Sequence, residues 1–245
     1  MVNLLYTELL KLKRSNMFLI SIIGAGVAPF MVVVASFVSL KTKHPTPTIV
    51  FSQLFGEVNL YTVLIIGVPL YGVVTAYLFT REYAEDTLKN LLTIPVSRIS
   101  FIISKFIILF LWIMMLTFVA WVLTLLLGII FQFDGLSSSL MRESFVQFLI
   151  GGLLLFVLST PIILLTIVLK NYVPTIVFTV VITMINLMTA NSEHRALFPW
   201  AAAGDISRNT LQPTYPPEYS YIGIFGTSII GLVLLISHFK KVDIH

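Results

Sequence analysis

The sequence predicts an all-α, polytopic membrane protein with six transmembrane helices, and two features of its composition support this fold class. Only 11% of the 245 residues are charged and 58% are hydrophobic, whereas soluble domains carry about 25% charged residues. All the charged side chains, 15 basic and 11 acidic, lie outside six uncharged runs of at least 18 residues each. A run of this length can cross the hydrocarbon core of a bilayer as a helix, so soluble enzymes and nucleic-acid-binding proteins are excluded. The predicted spans are residues 17–40, 58–79, 106–133, 144–169, 173–190 and 219–239.

The distribution of Lys and Arg predicts that both chain termini lie in the cytoplasm. In this orientation, ten basic residues fall in cytoplasmic segments and five in exterior loops, in keeping with the positive-inside rule. The first run is too long for the core of a signal peptide, so we interpret it as a retained span. Residues 1–245 would then form a single transmembrane domain embedded in the lipid bilayer.

Residues 1–16 are predicted to contain a short amphipathic helix. Such a helix would lie along the inner headgroup layer before the first span enters the membrane. A plain polar flank of the first span explains the same residues equally well. The polar positions are Asn3, Thr7, Lys11 and Arg14, and the apolar positions are Leu5, Leu9 and Leu12.

Two of the other connections carry structural information. The Lys170-Asn171-Tyr172 connection is so short that the fourth and fifth spans must be antiparallel neighbours. The longest exterior segment, residues 191–218, contains Trp200. We expect this side chain to lie in the aromatic belt at the outer membrane interface.

The one substantial cytoplasmic loop, residues 80–105, carries the most specific pattern in the chain. Three acidic residues recur at i, i+3 and i+4 on one helix face, and three leucines follow with the same spacing. Pro95 should end this helix near residue 94, because proline disfavours the α conformation in the residue before it. Ser97 could then cap the helix that continues into the third span. The acidic residues are Glu82, Glu85 and Asp86, and the leucines are Leu88, Leu91 and Leu92.

A purely structural loop helix explains part of this pattern. Acidic residues near a helix N-terminus interact favourably with the helix dipole, and Glu85 with Lys89 is an ordinary i,i+4 pair. Two details favour a functional interpretation instead. Arg98 follows a helix start, where the dipole disfavours a cation, and a loop that only connects two spans can be much shorter.

The loop resembles the connection between spans two and three of ABC-2-type permeases, the membrane subunits of bacterial ATP-binding-cassette exporters. The six spans, the cytoplasmic termini and the N-terminal helix also match, so the resemblance covers essentially the whole chain and extends to permeases of bacitracin or lantibiotic self-protection transporters. Asp86 departs from the pattern, because the family often has Gly before the Thr-Leu pair. The residues that carry the resemblance are Glu82, Thr87-Leu88, Leu91-Leu92, Pro95-Val96-Ser97-Arg98 and Lys105.

The resemblance implies that this loop couples the chain to a separate cytoplasmic ATPase in the bacterial cell membrane. The chain has no Gly-x4-Gly-Lys-[Ser/Thr] phosphate loop, so ATP and Mg would bind to that partner. This chain would then carry neither a cofactor nor a catalytic residue. A second permease copy, identical or different, would complete a dimer. The implied coupling residues are Glu82, Glu85, Asp86, Thr87, Leu88, Leu91, Leu92, Pro95 and Arg98.

The predicted fifth span carries a polar stripe along one face. Its residues recur at i, i+4, i+8 and i+11, and polar side chains of this kind commonly hold transmembrane helices together. The alternative is that they line a substrate path or the dimer seam, which the family places near spans two and five. The stripe consists of Thr175, Thr179, Thr183 and Asn186.

The remaining signals bear on the class of transporter. The chain has no cysteine, its four histidines have no ligand spacing, and we predict no metal site. The spans contain no Asp, Glu, Lys or Arg, which counts against a proton- or sodium-coupled transporter. We therefore predict the permease subunit of an ATP-driven exporter for an amphipathic peptide antibiotic, a drug or a lipid-linked compound. The alternatives are a secondary transporter or channel without an ATPase, and a membrane sensor or accessory subunit.

Overall fold

The computed structural model describes residues 2–13, 15–42, 50–84 and 98–241, and the regular elements within these ranges are helices. A π-helical segment, Thr62–Ile66, joins the third and fourth α-helices, and a short 3₁₀ helix covers Arg195–Leu197. The α-helices are α1 (Val2–Lys13), α2 (Asn16–Thr42), α3 (Phe51–Tyr61), α4 (Gly67–Ala84), α5 (Arg98–Ile130), α6 (Ser138–Val157), α7 (Thr160–Leu169), α8 (Tyr172–Met188), α9 (Pro199–Ser207) and α10 (Pro217–Lys241).

Five of the six predicted spans coincide with helical stretches that are long and apolar enough to cross a membrane. The remaining one corresponds to α8, which has 17 residues. At 1.5 Å per residue, α8 is about 26 Å long, slightly shorter than a hydrocarbon core of about 30 Å. Its crossing, and the orientation of the termini, stay predictions. The five stretches are Asn16–Ser39, Phe51–Arg81, Ser100–Ile130, Ser138–Leu169 and Pro217–His238.

The helices extend beyond the uncharged runs of the sequence. Glu57 and Glu143, which were expected to lie in loops, are within α3 and α6. Lys105 lies within α5, as expected for a helix that begins after Ser97 and continues into the third span. The helices therefore continue past the ends of the uncharged runs. The charged side chains there are either exposed, as Glu143 is, or paired within the bundle, as Lys105 is.

Local sequence explains the two irregular points in the long helices. Pro161 occupies the first turn of α7, and because it has no N–H to donate, the helix is interrupted after Val157. Thr160 makes up part of the loss by donating its hydroxyl to Val157 O, the carbonyl that Pro161 cannot bond, at 3.3 Å. The π-helix ends at Gly67, where a Cβ would collide with Thr62 O. This close approach requires glycine.

The helices predicted for spans four and five, α7 and α8, are antiparallel neighbours, as their short connection predicted. Lys170 ends α7 in the left-handed conformation (φ 50°), and the Asn171 side chain accepts a hydrogen bond from Val173 N at 2.9 Å to cap α8. The tight turn brings Thr166 and Thr175 together, with 3.0 Å between their hydroxyl oxygens.

The predicted position of Trp200 in an interface belt is wrong. Trp200 is only 6% exposed and belongs to the main hydrophobic core, because α9 is buried from Trp200 to Ser207. Small residues explain this burial: Ala201, Ala202 and Ala203 allow α9 to pack closely against α6 and α10. The segment before the last span is therefore an inner layer of the bundle at the end opposite α1.

Candidate functional site

The structure describes only the two helical ends of the predicted coupling loop. Glu82 lies in the last turn of α4, and Arg98 is the first residue of α5. α5 thus begins directly after Ser97, the predicted capping residue. The positions Glu85, Asp86, Thr87, Leu88, Leu91, Leu92, Pro95 and Ser97 lie outside the described residues.

Helix α1 contacts both of these helical ends. Lys105 Nζ of α5 lies 3.4 Å from Glu8 Oε2 of α1 and donates to Leu78 O of α4 at 2.8 Å. The Lys105 side chain is 1% exposed, so its stem and charge are enclosed by the three helices. A buried ammonium requires such partners, because an uncompensated charge at this position is costly.

A second set of hydrogen bonds joins α1 to α4 at the same end. Arg81 Nη1 donates to Lys11 O and to the Tyr77 hydroxyl, each at 3.2 Å, and the Tyr77 hydroxyl donates to Ser15 Oγ at 2.7 Å. We call the residues that make these contacts, and those of Lys105, the α1 clamp: Glu8, Lys11, Ser15, Tyr77, Arg81 and Lys105.

Sequence reasoning missed this clamp because it assigned the wrong buried face to α1. Leu5 and Leu12 pack towards the core as expected, but Leu9 is 49% exposed. The third buried position is Glu8, which is 5% exposed. Glu8 lies three residues after Leu5 and four before Leu12, on the same helix face. An acidic residue on this apolar face could have indicated a buried ion pair. Lys105 was counted among the cytoplasmic cations, and its burial was not predicted.

The polar stripe lies at a helix interface. Thr175 meets Thr166 of α7, and Thr179 lies so close to Gly72 of α4 that a Cβ at position 72 would overlap its side chain. The hydroxyls of Thr179 and Thr183 also donate to their own helix, to Ile176 O and Thr179 O at 2.8 and 2.9 Å. All four stripe residues, Thr175, Thr179, Thr183 and Asn186, are buried.

Asn186 makes the most specific contact of the stripe. Its amide donates to Leu64 O at 2.9 Å, and Leu64 lies within the π-helix. A π-helical turn disturbs the regular i→i−4 ladder, and Asn186 supplies a partner for a carbonyl there. This geometry supports the packing role of the stripe. Its alternative role, in lining a path or a dimer seam, stays a prediction.

A buried charge cluster holds α9 in place at the end opposite α1. Asp205 Oδ1 lies 2.8 Å from Arg195 Nη2 and 3.4 Å from Arg208 Nη2, and Arg195 also donates to Ala190 O at 2.7 Å. Burial raises the pKa of the Asp205 carboxyl, and the charges of Arg195 and Arg208 oppose that rise. Sequence reasoning treated these residues as exterior loop charges and did not predict their contact.

No group of three or more His, Cys, Asp or Glu side chains in the described part of the chain could hold a metal ion. His194 Nδ1 lies 2.7 Å from the Tyr215 hydroxyl, so its ring has a structural contact within the 191–218 segment.

Comparison with known proteins identifies the class to which this fold belongs. A model of the ABC-2 family of transporter proteins matches residues 4–186, a stretch that includes the α1 clamp, the loop and the polar stripe. The chain therefore belongs to the ABC-2 family and is a multi-pass protein of the cell membrane. It is also similar to the bacitracin transport permease protein BCRB of Bacillus licheniformis. The two are 60% identical over 205 residues, covering 84% of this chain and 99% of that protein.

Proposed function

We propose that this chain is the permease subunit of an ATP-driven exporter for a peptide antibiotic of the bacitracin type. The observation that carries the proposal is the similarity to a bacitracin transport permease along almost the whole length of that protein. The aligned family region contains no phosphate loop, so ATP hydrolysis takes place in a separate cytoplasmic ATPase. Two permease copies, identical or different, enclose the path between them.

The arrangement around the 80–105 loop suits mechanical coupling. In this proposal, the coupling charges are Glu82, Glu85 and Asp86, whose negative charge would complement a basic groove of the ATPase. The loop joins α4 to α5, and the α1 clamp ties both helices together close to the loop. A displacement of the loop by ATP-driven closure is therefore transmitted to these helices as a rigid unit.

The orientation follows from the same proposal. The α1 end faces the cytoplasm, where the ATPase binds, and the end that contains α9 faces the outside. The Arg195–Asp205–Arg208 cluster then lies at the outer end, although these charges are drawn inward rather than left in a solvated loop.

Charge reversal in the loop tests the coupling. We expect Glu82→Lys to leave the permease folded and inserted, but to abolish ATP-dependent export and bacitracin resistance, because the ATPase groove would meet a cation. Glu193→Lys is the matched control, since Glu193 is an exposed acid at the opposite end. Co-purification with the ATPase and export from energised cells are the measurements. Wild-type assembly and export in the Glu82→Lys variant would refute the proposal.

ATP depletion separates this function from the alternative of a secondary transporter. Export should stop when ATP is depleted while the proton gradient is maintained. Export that follows the proton gradient and ignores ATP would favour the secondary transporter. Signalling to a partner with no movement of peptide would favour a sensor.

A further inference from the structure

The buried apolar side chains that the structure describes form two hydrophobic clusters. The larger one contains residues of helices from α1 to α10, whereas the smaller one, which we call the distal cluster, is confined to α2, α3, α5, α6 and the connection between α5 and α6. Four helical stretches therefore pass from one cluster to the other. The change of cluster falls between Ala25 and Ala28 in α2, between Val58 of α3 and Val63 of the π-helix, between Leu116 and Ala120 in α5, and between Phe148 and Leu154 in α6.

Two of these stretches have an interrupted hydrogen-bond ladder close to the boundary. Pro29 lies inside α2 and has no N–H to donate to Ala25 O. The π-helix Thr62–Ile66 lies at the boundary between α3 and α4, and Pro69, the third residue of α4, cannot donate to Ile65 O. Prolines and π-helical turns are the usual places at which a helix bends.

The boundary in α6 is marked by two adjacent glycines. A Cβ at Gly151 would collide with Val63 of the π-helix, and a Cβ at Gly152 would collide with Thr117 of α5. α6 therefore meets both neighbours at the level where it has no side chains. Adjacent glycines also allow a helix to bend, because they restrict the backbone least.

The interruption in α2 lies at a similar depth. α2 begins beside α1, and α4 ends beside α1, so the two helices run in opposite directions. A Cβ at Gly24 would collide with the Leu70 side chain of α4. Five residues further from α1, α2 has Pro29, and the neighbouring stretch has Ile65 of the π-helix. The interruptions in the three stretches therefore form one layer across the bundle.

Polar contacts at this level are weak. The Asn59 amide donates to Ser207 Oγ at 3.5 Å, which is beyond the usual range for a hydrogen bond. Asn59 Oδ1 and Thr62 Oγ1 are buried, and neither has a hydrogen-bond partner among the described residues. A displacement at this level would therefore break few favourable contacts, in contrast to a displacement within the α1 clamp.

We propose that these interruptions form a hinge layer, at which the part of the bundle that contains the distal cluster tilts against the rest during transport. The inference rests on the proposed function, in which the loop displaces α4 and α5 as a unit held by the α1 clamp. The larger cluster carries that displacement to the hinge layer, and the end opposite α1 opens or closes without repacking of either cluster. The hinge layer consists of Pro29, Thr62–Ile66, Pro69, Gly151 and Gly152.

Two substitutions stiffen the hinge layer. Pro29→Ala and Pro69→Ala restore backbone N–H groups within helices, and alanine is the strongest helix former. We expect the double variant to keep or raise the melting temperature, to bind the ATPase and to lose export. A purely structural role would instead lower stability when the residue is replaced. Pro217→Ala, at the exposed start of α10, is the matched control and should export normally.

Distances between spin labels measure the tilt directly. The chain has no natural cysteine, so pairs of exposed residues can be replaced by cysteine and labelled. Gln53 in α3 and Glu218 in α10 lie on opposite sides of the hinge layer, whereas Glu193 and Glu218 lie on the same side. The permease–ATPase complex in lipid nanodiscs is measured by double electron–electron resonance, without nucleotide and after trapping with ATP and vanadate. An excess of unlabelled permease ensures that distances within one copy dominate.

We expect trapping to shift the Gln53–Glu218 distance and to leave the Glu193–Glu218 distance unchanged. The first shift should be lost when Pro29→Ala and Pro69→Ala are added to the labelled chain. A Gln53–Glu218 distance that trapping does not change, or normal export by the double proline variant, would overturn the inference. The distances in the chain with both prolines decide the outcome even if the double variant does not fold.

The same measurements distinguish this inference from the proposed function. If the permease exports peptide with ATP but the Gln53–Glu218 distance stays constant, the hinge layer is wrong and the permease function stands. If reconstituted vesicles export peptide with a proton gradient and without ATP, and the gradient shifts that distance, the ATP-driven function fails and the hinge layer stands.

Discussion

The two ends of the helix bundle use buried charge in different ways. At the α1 end, Glu8 and Lys105 are 97 positions apart in the sequence, and their contact joins α1 to α5. At the opposite end, Arg195 and Asp205 belong to one short segment and hold α9 locally. Arg208 extends this local cluster through the same carboxylate, Asp205.

This difference indicates that the buried charges have different structural roles at the two ends. Long-range contacts at the α1 end fix the helices on either side of the loop relative to each other, which suits the transmission of a displacement. Local contacts at the opposite end stabilise one segment, α9, without joining helices that are distant in the sequence. Substitutions at the two ends should therefore differ in kind as well as in size.

The largest effect is expected for Lys105→Met at the α1 end. The variant leaves Glu8 in a buried position with one of its cationic partners removed, so we expect the free energy of unfolding to fall by about 3 kcal/mol. Lys41→Met, which removes an exposed cation, is the control. Thermal unfolding of the purified proteins measures the difference, and equal melting temperatures for the two variants would contradict the clamp. Glu8→Gln combined with Lys105→Met should recover part of the loss.

The next effect is expected at the π-helix. Asn186→Leu removes the donor to Leu64 O and leaves that carbonyl buried without its partner, at a cost of about 2 kcal/mol. Thr183→Val is the matched control, because Thr183 donates only to its own helix and keeps its shape on substitution. A melting temperature for Asn186→Leu as high as that of Thr183→Val would show that the contact between α8 and the π-helix is unimportant.

A smaller effect is expected where α4 and α8 approach closely. Gly72→Ala places a methyl group against the Thr179 side chain, and overpacking of this kind costs about 1 kcal/mol at the lower end of its range. Thr179→Ala makes room for the methyl group, so the double variant should be more stable than Gly72→Ala alone. If the stability of the double variant equals the sum of the two single effects, the two positions are not in direct contact and the explanation is wrong.

The smallest effect concerns pH at the opposite end. The pKa of the Asp205 carboxyl is raised in the folded protein, so the fold binds this proton more tightly than the unfolded chain does. Stability from this group is therefore greatest below the ordinary Asp pKa of about 3.9 and declines as pH rises towards the raised value. Asp205→Asn should reduce this decline in the melting temperature, and identical pH profiles for the two proteins would show that the group does not contribute.

The sequence predicted the helical class and most of the spans, because apolar runs reflect the thickness of the bilayer directly. It also identified the polar stripe, since a period of 3.6 residues places Thr175, Thr179, Thr183 and Asn186 on one face. The sequence did not predict the contact between Asn186 and Leu64 O. That contact involves a π-helix, which depends on the close approach of Gly67 to Thr62 O.

The charged contacts were harder to predict for a related reason. Glu8 interrupts the apolar face of α1, but only the folded bundle reveals its partner by bringing Lys105 within 3.4 Å. Trp200 was misplaced because its buried position depends on the small residues that follow it in α9 and on the helices packed around them. Composition indicates whether a segment lies in lipid or in water. Tertiary packing determines which face of a short helix is buried.

The position of the ATPase tests the proposed coupling most directly, and the absence of natural cysteines makes the measurement clean. Single cysteines at Glu85 and Glu193 can be treated in intact cells with a membrane-impermeant maleimide, and in isolated membranes with a crosslinker. We predict that the cysteine at position 85 crosslinks to the ATPase and is protected from the external reagent, while the cysteine at position 193 reacts outside and forms no crosslink. Labelling of position 85 from outside, or crosslinking of the ATPase to position 193, would contradict the proposed coupling.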